Sequence, residues 1–434
     1  MILQNSIMLK LIRDQFSTTI KNSIRCCAAI IKKNEENKIP ENMDVNNNSE
    51  NEKPKKTTYK KKEGITKTEI KKYLKSVNSE ELINNMPNPM NRRSRNPAAL
   101  FLIDSNLAEK IANKLEDALT SDPDMFIAEV NPGWGLLTEN LLKKSISKIH
   151  LYETFEFFLN PNSRLQNIVK KNEERLELRK KNLFDLWTIV FRDFRGSTND
   201  EEKLLKGTKI REWKDKPYMT VIGTITNESF IKHLIMSVLF QNTFMKRGRI
   251  VFYLMIDPII WEKYISPKQT GTYNCRSVIF QSLFDYEKIE TLPRKSFLPW
   301  LYKKTYLNQT NNKNLRKLKY EYVYFVRIEP KIDLYDNISQ ADLLTYYYFI
   351  KYHMQISHTR VIPALENWIP GCGPRLIMRN FTIYTEFQDL DVKQLLDLYK
   401  EFSSWPEFKE CYFLTLSSDF YSSMEDAFHE MGCI

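Results

Sequence analysis

Between residues 96 and 330, short apolar runs alternate with segments whose apolar positions recur at helical spacing. Seven runs read as strands: Met125–Val130, Lys148–Tyr152, Leu176–Lys181, Tyr218–Gly223, Arg249–Ile256, Tyr286–Thr291 and Tyr320–Ile328. Helical stretches separate most of them, which predicts a largely parallel α/β sheet; the last two lie closer and can pair antiparallel. Ahead of the first strand, "PAALFLIDSNLAEKIANKL" predicts a helix with Leu107, Ile111 and Leu115 on one face and Asp104 or Ser105 as its cap.

Beyond Pro330 the strand alternation stops. "SQADLLTYYYFIKYHMQ" and "DVKQLLDLYKEFSSWPEF" predict helices, the second capped by Asp391 and stopped at Pro406, with "NWIPGCGPRL" as a loop between them. A small helical domain over residues 331–434, packed on a sheet domain over 96–330 with a cleft between, is the expectation. Tyr346 to Tyr348 offer a stacking patch, although at consecutive helix positions one or two must face the core.

The first 95 residues follow neither pattern. "MILQNSIMLKLIRDQFSTTIKNSIRCCAAIIKK" sets Lys10, Arg13, Lys21, Arg25, Lys32 and Lys33 against one acid, Asp14, with apolar residues at helical spacing. That composition predicts a mitochondrial transit peptide over 1–33; a surface helix or a tail is the plainer alternative. Residues 34–95, rich in Asn, Glu and Lys, predict a disordered basic linker, since such a stretch buries too little to offset its ordering entropy. Arg92, Arg93 and Arg95 close it and are well placed to touch a phosphate.

Charge sharpens this division. Residues 1–97 hold 20 Lys and Arg against 11 Asp and Glu, so most of the chain's net +11 sits there. The body is nearly neutral, and attraction to a polyanion must come from the leading segment or from local patches. Six cysteines and five histidines without metal spacing argue against a zinc site or a disulfide scaffold, and no metal is expected. No apolar run is long enough for a membrane span. A monomer is expected.

The candidate chemistry begins at "FIAEVNPGWGLLTENLLKK". A strand ends at Glu129, and Gly133 and Gly135 allow a sharp turn and a close ligand approach before a helix starts near Leu136. Glu153, at the end of the second strand, is placed to accept both hydroxyls of a ribose. A tight turn and a surface glutamate would read the same way.

The ordered series "LFLIDSNLAEKI", "EVNPGWGLLTENLL", "HLYETFEFF", "RKKNLFDLW" and "ETLPRKSFLPW" resembles the rRNA adenine N6-dimethyltransferase family. Within it, the series is similar to the mitochondrial branch that became a transcription initiation factor. The Asn-Pro-Gly-x-Gly turn and the Pro-x-x-x-Phe-x-Pro at Pro293, Phe297 and Pro299 carry the likeness over roughly residues 96–330. The resemblance implies a seven-stranded Rossmann-like methyltransferase sheet and an S-adenosyl-L-methionine site. That site maps onto Leu102, the turn containing Glu129, Asn131, Gly133 and Gly135, then Glu153 and Asn182. Asn131 replaces a first glycine, Asn182 replaces an Asp, and Trp134 is bulkier than its counterpart, so weakened binding is implied.

Active relatives end their fourth strand in Asn-Leu-Pro-aromatic, where two carbonyls hold the adenine amine and a ring stacks on the flipped base. Here Gly223, Thr224, Ile225 and Thr226 occupy those positions, without amide, proline or ring. Two functions therefore stand. One is an initiation factor in the mitochondrial matrix nucleoid that helps mitochondrial RNA polymerase melt promoter DNA. The other is a working dimethylase of small-subunit mitochondrial rRNA. Candidate nucleic-acid contacts are Arg92, Arg93, Arg95, Arg192, Arg195, Lys209, Lys303, Lys304, Arg316, Lys317 and Lys319; solvated loop charges are the bland alternative.

Overall fold

The computed structural model describes residues 63–84, 86–94, 97–186, 189, 200–301 and 318–431. The proposed transit segment, the linker before residue 63, and Arg95, Arg192, Arg195, Lys303, Lys304, Arg316 and Lys317 lie outside the described residues.

All seven expected strands form, and they form one sheet. In chain order, a short β1 (Phe101–Leu102) precedes β2 (Phe126–Val130), β3 (Ile149–Tyr152), β4 (Leu176–Arg179), β5 (Met219–Ile225) and β6 (Ile250–Ile256). Then follow β7 (Phe284–Pro293), a short β8 (Phe297–Leu298) and β9 (Tyr322–Pro330). The sheet order is β4-β3-β2-β5-β6-β9-β7. β2 to β6 run parallel, while β9 is antiparallel to both β6 and β7. The order reverses at β2, between β3 and β5, so the C-terminal ends of these strands frame the crevice where open α/β sheets bind ligands.

Both faces of the sheet are covered, as parallel strands require. Period-two alternation divides the strand residues: Phe126, Ala128 and Val130 join one apolar cluster, Ile127 the other. The C-terminal helices Gln340–His353 and Val392–Ser404 share the first cluster with the sheet. Tyr346 and Tyr348 are buried there, and Tyr347 packs against the same cluster. The stacking-patch reading of these tyrosines is thereby overturned: the Tyr346 ring meets Tyr399 at 5.3 Å and Tyr348 meets Phe413 at 5.2 Å.

The other cluster holds a second correction. The described residues 63–84 and 86–94 are not a disordered linker. Helix α1 (Glu63–Ser76) buries Ile70 and Leu74 completely or nearly so, and Leu82 and Met90 follow them into the core. Its Lys-rich face hides an apolar stripe, which averaged composition conceals. The Tyr73 hydroxyl donates to Asp104 Oδ2 at 3.0 Å and lies 2.9 Å from Ser296 Oγ. Asp104 in turn caps helix α2 (Ser105–Thr120) by accepting from the Leu107 N–H at 3.1 Å.

Candidate functional site

The turn after β2 and the acid after β3 come together as expected. Asn131 sits at φ +57°, Gly133 at +59° and Gly135 at +72°, three left-handed residues that reverse the chain before helix α3 (Leu136–Leu142). Gly133 cannot carry a side chain: a Cβ there would lie 2.8 Å from Phe101 Cδ1. This is why glycine flanks the tryptophan.

Glu153 closes the arrangement. Its Oε2 accepts from Gly133 N–H at 3.2 Å, and its Oε1 accepts from Thr154 and Phe155 N–H at 2.9 and 2.8 Å. Burial raises its carboxyl above the ordinary range, against the pull of those three N–H groups. Trp134, only 1% exposed, turns inward against Phe101 and Phe158 with ring centroids at 6.4 and 4.9 Å. It therefore belongs to the core rather than to the surface of the turn. Arg164 holds the turn from outside, donating to the Trp134 carbonyl at 2.5 Å and pairing with Glu139 at 2.6 Å.

The remaining cofactor candidates are engaged locally. Leu102 is buried and pairs in β1 with Phe297 of β8. Asn182 accepts from Phe184 N–H at 3.1 Å and donates to Asp185 at 2.8 Å, capping a short turn. Glu129 accepts from the Thr138 hydroxyl at 2.8 Å. In this arrangement the groups expected to hold S-adenosyl-L-methionine are turned toward the protein itself. Glu153 has 0% exposure and its oxygens serve the turn, so a ribose reaches it only if the turn or Phe155 moves.

Burial first, and the nearby charge of Glu153 second, push the Glu129 carboxyl up to about 7, against the Thr138 hydrogen bond. A raised folded-state value adds stability that is complete below the unfolded carboxylate range and is lost as pH rises through about 7. Glu129→Gln keeps an acceptor for Thr138 and removes the charge. Relative to wild type it should gain on the order of 3 kcal/mol between pH 4.5 and 8. Urea unfolding at both pH values measures this; parallel pH profiles would contradict it.

At the end of β5 the degenerate motif is closed. A Cβ on Gly223 would lie 2.8 Å from Phe184 Cζ and 3.1 Å from Val130 Cβ, so the Phe184 ring fills the room an asparagine side chain would need. The Thr224 hydroxyl donates to the Leu100 carbonyl at 2.8 Å and the Thr226 hydroxyl to the Ala98 carbonyl at 3.0 Å. Ile225 is buried. Asn227, four positions late, accepts from Ser229 N–H at 3.1 Å just ahead of the helix Ser229–Phe240.

Of the described nucleic-acid candidates, Arg92 is exposed. Arg93 pairs with Glu69 at 2.7 Å, donates to the Leu301 carbonyl at 3.0 Å and lies over the Trp300 ring at 5.9 Å. Lys319 pairs with Asp257 at 2.8 Å, and Lys209 with Asp124 at 2.8 Å on a remote edge. Arg93 and Lys319 line two adjoining cavities of about 680 and 380 Å³. Sequence reasoning missed several other walls of these cavities: Tyr73, Arg294, Trp300 and Tyr322. Only Arg294 and Trp300 carried a signal, as neighbours of the Pro-x-x-x-Phe-x-Pro prolines.

The sheet order, the glycine turn and the acid after β3 define the class: a Rossmann-like fold of the methyltransferase type. The profile of the ribosomal RNA adenine dimethylase family matches residues 90–403, and the chain belongs to that family. It is 28% identical over 378 residues to "Dimethyladenosine transferase 2, mitochondrial" of Drosophila melanogaster, covering 78% of this chain and 81% of the relative. Among solved structures, the 23S rRNA methyltransferase ErmE aligns with TM-score 0.43 and 16% identity, covering 70% of this chain and 100% of that one. A dimethyladenosine transferase from Plasmodium falciparum aligns with TM-score 0.43 and 12% identity, covering 68% and 95%.

Proposed function

We propose that the protein is a mitochondrial transcription initiation factor, similar to mitochondrial transcription factor B2, which keeps a methyltransferase fold with its methylation activity weak or lost. It works with mitochondrial RNA polymerase in the matrix nucleoid, helping to melt promoter DNA and hold the opened strand. The carrying observation is the end of β5, where the Phe184 ring occupies the space of the adenine-orienting amide and Thr224 and Thr226 spend their hydroxyls on backbone. Orienting groups supply several kcal/mol of near-attack geometry, and none stands there. The mitochondrial relative and the basic leading segment agree with the location.

The alternative is an active small-subunit rRNA adenine dimethylase, favoured by the match to the ribosomal RNA adenine dimethylase family over residues 90–403. Two assays separate them. In a bacterial strain lacking its rRNA adenine dimethylase, primer extension should find the paired target adenines unmethylated when this chain is expressed. In promoter run-off with mitochondrial polymerase, adding the chain should raise transcript yield. Robust methylation, or no stimulation of run-off, reverses the ranking.

A further inference from the structure

The two cavities meet. Arg294, Leu301 and Tyr322 line both, so one continuous groove runs from the end of β5 to the wall formed by α1. We propose that this groove is a track for single-stranded nucleic acid, and that α1 is one of its walls. The larger cavity would take the nucleotide adjoining the one at β5. The inference rests on the reading that the chain handles unpaired nucleic acid, and it names where.

Three features favour this occupant. The larger cavity, about 680 Å³, falls within the range of roughly 300–1,000 Å³ typical of ligand clefts. Its basic side chains outnumber its acids: Lys72, Arg93, Arg294 and Lys295 face Glu69 and Glu321, and Glu69 is already paired with Arg93. Lys72 and Lys295 both line it and stand exposed, where they can meet phosphates. Aromatic side chains line the same cavity: buried Trp300, edge to face with Tyr73 at 5.9 Å, and half-buried Tyr322, which lines both cavities. Cations along the rim and rings in the floor are what a sequence-tolerant strand binder needs.

The floor is also rigid. Arg294, 5% exposed, donates to the Phe297 and Pro299 carbonyls at 2.7 and 2.8 Å, and the Trp300 indole donates to the Lys295 carbonyl at 3.0 Å. These bonds fix the turn that carries Lys295. The Tyr73–Asp104–Ser296 contacts fix the helix that carries Lys72.

The test is fluorescence anisotropy of labelled oligothymidylate and oligouridylate with the full chain over a salt series. Lys72→Ala with Lys295→Ala should weaken binding several-fold and reduce the slope of log K against log salt by about 1.4, the value for two lost phosphate contacts on a single strand. Tyr322→Leu should weaken binding at least about five-fold with the salt slope unchanged. Photocrosslinks from thio-substituted oligonucleotides should map to peptides containing Tyr73, Trp300 or Tyr322. Where the variants show these losses, the oligonucleotide that wild type binds more tightly tells whether DNA or RNA occupies the track. If wild type binds but the variants are unchanged and crosslinks map elsewhere, the track is wrong and the proposed function survives. If wild type binds neither oligonucleotide, both fall.

Discussion

Trp134→Ala is expected to destabilise the fold by about 3–5 kcal/mol, the range for emptying a large buried aromatic site. The indole is 1% exposed and meets Phe158 at 4.9 Å and Phe101 at 6.4 Å. Around it the backbone has little freedom to collapse into the void. Gly133 and Gly135 are held at positive φ, and Arg164 grips the Trp134 carbonyl. The measurement is a urea titration, in which the midpoint should fall with little change in m. A loss below about 1 kcal/mol would mean that the ring lies outside the core.

Glu153→Ala should cost about 2–4 kcal/mol, because three backbone N–H groups lose one acceptor at once. Glu153→Gln should fall between, since its oxygen can still serve Thr154 and Phe155 while its amide faces the Gly133 N–H. The same proteins address cofactor binding. With the carboxylate fully buried, calorimetry with S-adenosyl-L-methionine should give no saturable heat for wild type or variant. Strong heat from wild type that Glu153→Ala abolishes would return this residue to the ribose.

The sheet was legible because a strand buried on both faces leaves a local record, a short apolar run with a turn after it. The Gly133–Glu153 pairing was legible for a related reason: two adjacent parallel strands bring their C-terminal ends together, so once the family resemblance singled out the turn and the acid, their meeting followed. What failed to show was contact between distant segments. Phe184 filling the space beside Gly223 joins the loop after β4 to the end of β5, and neither segment advertises it. Trp134 read as a bulky group crowding the cofactor turn; its inward direction depends on Phe101 and Phe158, from two other segments. Helix α1 was masked by its lysines, although Ile70, Tyr73 and Leu74 already stood at helical spacing. The cavities it helps to wall were invisible for the same reason.

The docking of α1 also carries the folded body back ahead of the family match. The match to the family model starts at residue 90, yet Ile70, Leu74 and Leu82 already lie inside the core. A protein shortened to its family-matching span would bare that apolar seam to water and strip Asp104 and Ser296 of their phenol partner.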